Sequence, residues 1–460
     1  MSWLRLADWF AVAGVGGLAA VLGVTQISDS WSGRHNLAEP GADASLISRG
    51  AYIAHLADCS ACHSIPGKPP FAGGLPMALP IGTLYTPNIT PDPEYGIGEW
   101  TLRDFDRVMR TGIARGHGMK PAYSVYPAMP YTSYASMPAE DIRALWAYFR
   151  FGVEPATVPN RKSDIMWPLS MRFPLTLWRW TFGPSAEPFD ATNYEDATIA
   201  RGAYFVDGPG HCGECHTPRG VGLQLKASTH SDGPLYLSGA RVEAWYAPSL
   251  RSEGPGTLEE WSAEDIATFL KTGVNHHSTA FGSMTDVIEH STQHMTDDDL
   301  LAVGKYLKTI GTPVGTSFQY DPATANALAA GNAVERGALV YLDNCAACHR
   351  PDGKGYAGVF PPLAGNSAVE ASNALSLISA VLKGSTTPRT GSTPAKFTMP
   401  PFAWRLDDRQ MADVVSFIRS AWGNRAAPID SKDVARARRD VAKMPHLPET
   451  LPLVDPRAAP

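Results

Sequence analysis

The sequence predicts a mainly α protein of three tandem domains preceded by one apolar transmembrane helix. Three observations predict it. All six cysteines lie in Cys-x-x-Cys-His stretches, at 59–63, 212–216 and 345–349. An Arg-Gly-Ala element (Arg49-Gly50-Ala51, Arg201-Gly202-Ala203, Arg336-Gly337-Ala338) precedes each stretch, and an acidic-headed helical pattern follows it. Finally, the run from Trp9 to Ser28 carries no charge over twenty residues. The 460-residue length agrees, because domains average about 150 residues.

The uncharged run is about as long as a helix that spans hydrocarbon at 1.5 Å per residue. A cleaved signal peptide would have a shorter apolar region, about 7 to 15 residues, and a small-residue cleavage site. The residues that follow, "VTQISDSWSG", lack such a site. Residues 1–30 are therefore expected to be an N-terminal anchor, with cleavage or a buried helix as the alternatives. Arg5 lies before the span and Asp29 is the first charge after it. The positive-inside rule then places the protein in the inner membrane with its domains facing the periplasm.

A formal net charge of −6 excludes a phosphate-neutralising surface, so no nucleic-acid partner is expected. Glycine (42) and proline (39) are abundant, but 44% of the chain is apolar, which rules out disorder and fits short helices joined by turn-rich loops.

Cys-x-x-Cys-His is the attachment sequence of c-type haem: two thiols become thioethers to the porphyrin, and the adjacent histidine meets the iron. A structural zinc site would want four ligands, usually from two pairs close in sequence, whereas these pairs lie more than a hundred residues apart. Disulfides within each pair would be strained and would leave the histidines without a role. No βαβ pattern surrounds any pair, as a thioredoxin-like motif would need. Cys59, Cys62, Cys212, Cys215, Cys345 and Cys348 are thus expected to hold three haems c, with His63, His216 and His349 as proximal ligands.

An electron carrier needs the opposite face of each iron filled, and methionine there raises the potential. Met129 in "YPAMPYTSY", Met284 in "AFGSMTDVI" and Met399 in "KFTMPPFAW" occupy equivalent places before each domain's last helix. Two of them, Met129 and Met399, precede proline in a loop. For the second haem, Met295, His276 and His277 are also within sequence reach, although Met295 stands at a helix start as Met137 does.

The last helices are read at 138–150, 296–308 and 407–419, from acidic first turns and apolar residues at helical spacing. Gly50, Gly202 and Gly337 would let them cross the first helices closely. The pattern resembles the class I cytochrome c fold. The expected divisions are domain 1 at 47–153, an aromatic linker at 154–197, domain 2 at 198–310, a flexible linker at 311–332, domain 3 at 333–424 and a tail at 425–460. Pro87, Pro248 and Pro362 are candidates for carbonyls that orient the proximal histidines. Trp100 and Trp261 fall at matching places and are expected to pack beside the macrocycle. Trp167, Trp178, Trp180, Phe173 and Phe182 beside Arg172 and Arg179 suit either packing on the haem domains or a membrane interface.

With "RGAY", "YPAMPY", "GPGHCGECHTPRG", "WPLSMR" and "FPPLAGN" in place, the chain resembles the tri-haem cytochrome c subunits of membrane-bound, quinone-reducing alcohol and aldehyde dehydrogenases of acetic acid bacteria. The resemblance implies a non-catalytic subunit. It would pass electrons from a large dehydrogenase subunit holding pyrroloquinoline quinone, a molybdenum cofactor or flavin, with or without a small iron–sulfur subunit, to membrane ubiquinone. A retained anchor departs from members with cleaved signal peptides and favours an aldehyde-oxidising relative. The alternatives are a self-contained multihaem oxidoreductase such as a peroxidase, and a freestanding periplasmic carrier.

Overall fold

The computed structural model describes residues 38–444 apart from 119, 185–186, 255, 316 and 333–334. The anchor expected at 1–30 and the end of the expected tail, 445–460, lie outside the described residues. Among the described residues no helix is long and apolar enough to cross a membrane. The described fold is thus corrected to one without a transmembrane helix, and the expected inner-membrane anchor has no support in it. The mainly α class is corrected as well: four two-stranded antiparallel sheets stand among the helices, so the described fold is mixed helical with small sheets. Strands of two to four residues are too short to show alternation in a sequence, which is why they escaped notice.

The described residues form two compact units. One takes the chain up to Ile53 together with His63–Phe189, and the other takes Ala54–Cys62 and the chain from Asp190 onward.

In the first unit, α1 (Ala44–Leu56) contributes its residues up to Ile53, and His63 is the last residue of α2 (Cys59–His63). Strands β1 (Pro76–Leu79) and β2 (Gly82–Tyr85) form a hairpin, and β3 (Ile113–Ala114) pairs with β4 (Tyr123–Ser124). Between these sheets runs α3 (Leu102–Thr111). Its Thr101 hydroxyl accepts from the Asp104 N–H while the Asp104 carboxylate accepts from the Thr101 N–H, a reciprocal N-terminal cap. Helix α4 (Ala139–Ala147) runs on into a π turn, Tyr148–Gly152. Phe105 of α3 meets Trp146 of α4 with ring centroids 5.3 Å apart, and burial of each such ring contributes roughly 2–3 kcal/mol. Helix α1 crosses α4 at Gly50, where a Cβ would lie 1.9 Å from the Ala144 carbonyl oxygen.

The aromatic linker forms α5 (Phe173–Phe182), and its expected cluster splits in two. Trp178 lies edge-on to Tyr131 at 6.5 Å and Arg172 sits over the Tyr126 ring at 4.3 Å, whereas Trp167 and Trp180 are 77% and 74% exposed.

The second unit contains α6 (Ala197–Asp207), α7 (Gly213–His216), α8 (Ala263–Thr272), α9 (Ser283–His290), α10 (Asp297–Thr309), α11 (Arg336–Asn344), α12 (Ala346–His349), α13 (Leu375–Lys383), α14 (Asp408–Ser420) and α15 (Ser431–Val441). Its hairpins are β5 (Ala240–Val242) with β6 (Trp245–Ala247), and β7 (Ser385–Thr386) with β8 (Thr398–Met399). The crossing seen at Gly50 recurs twice. A Cβ on Gly202 would lie 2.0 Å from the Ala302 carbonyl oxygen of α10, and one on Gly337 would lie 2.2 Å from the Asp413 carbonyl oxygen of α14. Tyr341, Met411, Val414, Val415 and Trp422 close the core beneath α11 and α14.

Two stretches are more ordered than their composition suggests. The segment read as a flexible linker forms a helix at Ala323–Ala329 and is held where the Asp321 N–H donates to the Trp422 carbonyl at 3.0 Å. Within the tail, α15 starts at an Asp430–Asp433 capping box and buries Val434 and Ala437, a three-residue apolar spacing that places both on one helix face.

Candidate haem-binding sites

Each Cys-x-x-Cys-His stretch is helical, and each histidine is held in the same way. His63 Nδ1–H donates to the Pro87 carbonyl at 2.8 Å, His216 Nδ1–H to the Pro248 carbonyl at 2.7 Å, and His349 Nδ1–H to the Pro361 carbonyl at 3.0 Å. A carbonyl only accepts, so the proton must sit on Nδ1 and the Nε2 lone pair is left for a metal. Two of the three expected prolines are correct. The third acceptor is Pro361 rather than Pro362, because the shorter loop after His349 presents the first carbonyl of the Pro361-Pro362 pair. Burial holds all three imidazoles below the ordinary histidine value, against the opposing pull of the carbonyl bond. They are therefore neutral and able to ligate.

The cysteines are unpaired. Burial pushes the Cys62, Cys212 and Cys345 thiols up to about 12 and Cys215 to about 11, and it raises Cys59 further still. These five thiols are uncharged, whereas zinc would need thiolates. Zinc would also need converging protein ligands. Among the described residues, the group of three metal-capable side chains whose ligand atoms converge is Asp265, His276 and His277, and no cysteine belongs to it. Buried or partly buried sulfurs one helical turn apart, beside a histidine with a free Nε2, fit covalent haem.

The three candidate distal methionines occupy different local structures, yet all are partly buried. Met129 sits in the turn before Pro130, Met284 in the first turn of α9 and Met399 in β8. Met295, by contrast, is 4% exposed at the start of α10, as Met137 is fully buried at the start of α4 and Leu406 is buried before α14. That position is a packing site in all three regions. His276 and His277 lie against Asp265, and the His277 ring stacks on Trp261 at 5.1 Å with an 11° interplanar angle.

One buried group had no signal in the sequence. Asp207, at the end of α6, accepts a short hydrogen bond from the Tyr236 hydroxyl and another from the Tyr306 hydroxyl at 3.0 Å. Burial pushes its carboxyl up to about 7 against the pull of those two hydroxyls.

The cytochrome c family model matches residues 334–422, one of the three regions expected to carry that fold. The chain is 47% identical over 416 residues to the gluconate 2-dehydrogenase cytochrome c subunit of Pantoea cypripedii, covering 89% of this chain and 93% of that one. It is 48% identical over 404 residues to the cytochrome c subunit of the quinone alcohol dehydrogenase of Gluconacetobacter polyoxogenes, covering 87% and 85%. It is 35% identical over 423 residues to the fructose dehydrogenase cytochrome subunit of Gluconobacter japonicus, covering 87% and 84%. With likeness of this extent added to the repeated histidine cradles, the chain belongs to the family of dehydrogenase cytochrome c subunits, whose cofactor is covalently bound haem c.

Proposed function

We propose that this chain relays electrons from a large dehydrogenase subunit to ubiquinone through three covalently held haems c, one in each of the regions 47–153, 198–310 and 333–424. The observation that carries the proposal is the threefold Nδ1–H to carbonyl bond, which leaves Nε2 available beside every cysteine pair.

Haem c supplies one-electron cycling of an iron between ferrous and ferric states. The protein's part is to hold and insulate. Cys59 and Cys62, Cys212 and Cys215, and Cys345 and Cys348 fix the three groups. His63, His216 and His349 would ligate through Nε2, with Met129, Met284 and Met399 as the second protein ligands. With two protein ligands for each iron, substrate oxidation would belong to the partner, whose own cofactor would be pyrroloquinoline quinone, a molybdenum cofactor or flavin, with or without an iron–sulfur subunit. The relatives' names include gluconate, alcohol and fructose dehydrogenases, which supports a hydroxyl compound as the partner's substrate. The preference for an aldehyde rests on a retained anchor and falls with that expectation.

The test is capture of the tagged, haem-loaded chain from its native host, with mass spectrometry of everything that accompanies it. A large cofactor-bearing dehydrogenase in fixed ratio, whose substrate reduces the haems and then added ubiquinone, is the expected result. A lone chain that turns over peroxide or nitrite would overturn it. In the same preparation, Met399→Ala is expected to keep its covalent haem content and lower one midpoint potential; an unchanged redox titration removes Met399 as a ligand.

A further inference from the structure

We infer that Asp265, His276 and His277 form a binding site for one divalent transition-metal ion with zinc-like preferences, separate from the haem-attachment motifs. His276 Nδ1 lies 3.3 Å from Asp265 Oδ1, and His277 Nε2 lies 3.5 Å from Asp265 Oδ2. All three ligand atoms fall within 4.8 Å of one another. A tetrahedral ion with bonds of about 2.0–2.1 Å sets its ligand atoms roughly 3.3–3.4 Å apart, and each imidazole nitrogen already stands close to that distance from one oxygen of the Asp265 carboxylate.

The donors are preset before any ion arrives. The Asp265 carboxylate is fixed at the head of α8, where its Oδ2 accepts from the Ser262 N–H at 2.9 Å. Asn275 ties the loop after α8 back to that helix: its Nδ2 donates to the Asp265 carbonyl at 3.0 Å, while its Oδ1 accepts from the N–H groups of His277 and Ser278, each at 2.9 Å. Trp261 stacks on the His277 ring from one side and the His276 ring lies 3.9 Å away, centroid to centroid. Asn366 Nδ2 also donates to the His277 carbonyl, at 3.2 Å.

A purely structural role leaves one atom unexplained. His277 Nε2 is buried and makes no proper hydrogen bond, the Asp265 Oδ2 it faces lying 3.5 Å away, a costly state that a metal bond would relieve. Two imidazoles and one carboxylate suit zinc or copper rather than calcium or magnesium, which prefer all-oxygen shells. The group reaches the surface at His276, whose side chain is 70% exposed.

The test is a calorimetric titration of the chelator-stripped, haem-loaded full chain with zinc chloride. One zinc per chain is expected, weakened at least tenfold in His276→Ala and in His277→Ala, with the haem absorbance unchanged. Because His276 is largely exposed, His276→Ala keeps its fold even if His277→Ala, which loses the Trp261 stack, does not, and it decides the matter alone. No stoichiometric uptake, or uptake indifferent to His276→Ala, overturns the inference. The titration needs no dehydrogenase partner, so its result is independent of the relay proposal.

Discussion

The second and third cysteine-motif regions, which share one compact unit, solve the same problem with different amounts of chain. In the second, His216 reaches a carbonyl 32 residues away, and the intervening chain makes the β5–β6 hairpin just before Pro248. In the third, His349 reaches Pro361 after only 12 residues, with no named strand between. Entry to the motif differs as well. His211 stands in the left-handed region, φ 37°, immediately before Cys212, whereas in the third motif the left-handed residue is Arg350, φ 64°, immediately after His349. The first region sides with the second, with Asp58 at φ 51° before Cys59 and the β1–β2 hairpin before Pro87. Histidine cradling and the glycine crossing are common to all three; the hairpin is dispensable. The cytochrome c family model matches 334–422, the region without such a hairpin between its motif and its cradling proline.

The largest expected effect concerns a carboxyl of the second region. Asp207 has its carboxyl raised to about 7 by burial, whereas in the unfolded chain it ionises near 4. The folded state therefore keeps its proton longer. Stability from this group is complete below pH 4 and is lost as pH rises to 7, by about 4 kcal/mol. Denaturation of the holoprotein between pH 5 and 8 should show that decline, and Asp207→Asn should flatten it. A slope that survives the substitution assigns it to another group.

Next in size are the crossings. Gly50→Ala, Gly202→Ala and Gly337→Ala each drive a methyl into a facing carbonyl and should cost about 3 kcal/mol, read as lost thermal stability or incomplete haem loading. Tolerance at Gly337 alone would show that the compact region does not share the common crossing. The smallest effect concerns the arginine before each glycine. Arg49 pairs with Asp141 of α4, and Arg201 with Asp299 of α10 at 2.9 Å, but Gln410 stands at the matching place in α14 and caps that helix with Asp407 instead. Both paired arginines are about half exposed, so Arg49→Ala and Arg201→Ala should each cost about 0.5 kcal/mol, and Arg336→Ala nothing measurable in a denaturant titration.

Chemistry that depends on adjacent residues was legible in the sequence. The cysteine pairs with their histidines, the glycines at the crossings, and the carbonyls of Pro87 and Pro248 could all be found from spacing and repetition. Pro361 was missed by one residue because two neighbouring prolines look alike until loop length chooses between them. The hairpins were hidden by their brevity, and α15 by the surrounding prolines, although its capping residues and the Val434–Ala437 spacing were present. Asp207 could not have been found: nothing local marks it, and its character comes from Tyr236 and Tyr306, 29 and 99 residues away. The same holds for the convergence of His276 and His277 on Asp265, where the residues were visible but the meeting point was not.

Ser376 and Ser379 of α13 have a bearing on speed. Ser376 Oγ donates to the Tyr246 carbonyl at 2.9 Å and accepts from its N–H at 2.8 Å, while Ser379 Oγ donates to the Ala244 carbonyl at 2.6 Å. These bonds fasten a helix of the third region to the hairpin that ends at Pro248, the residue cradling His216. In the relay proposed, the gap between groups held at His216 and His349 would thus be set when the chain folds. A charge hopping across it would wait for no domain swing, and whatever paced the traffic would act where electrons enter or leave.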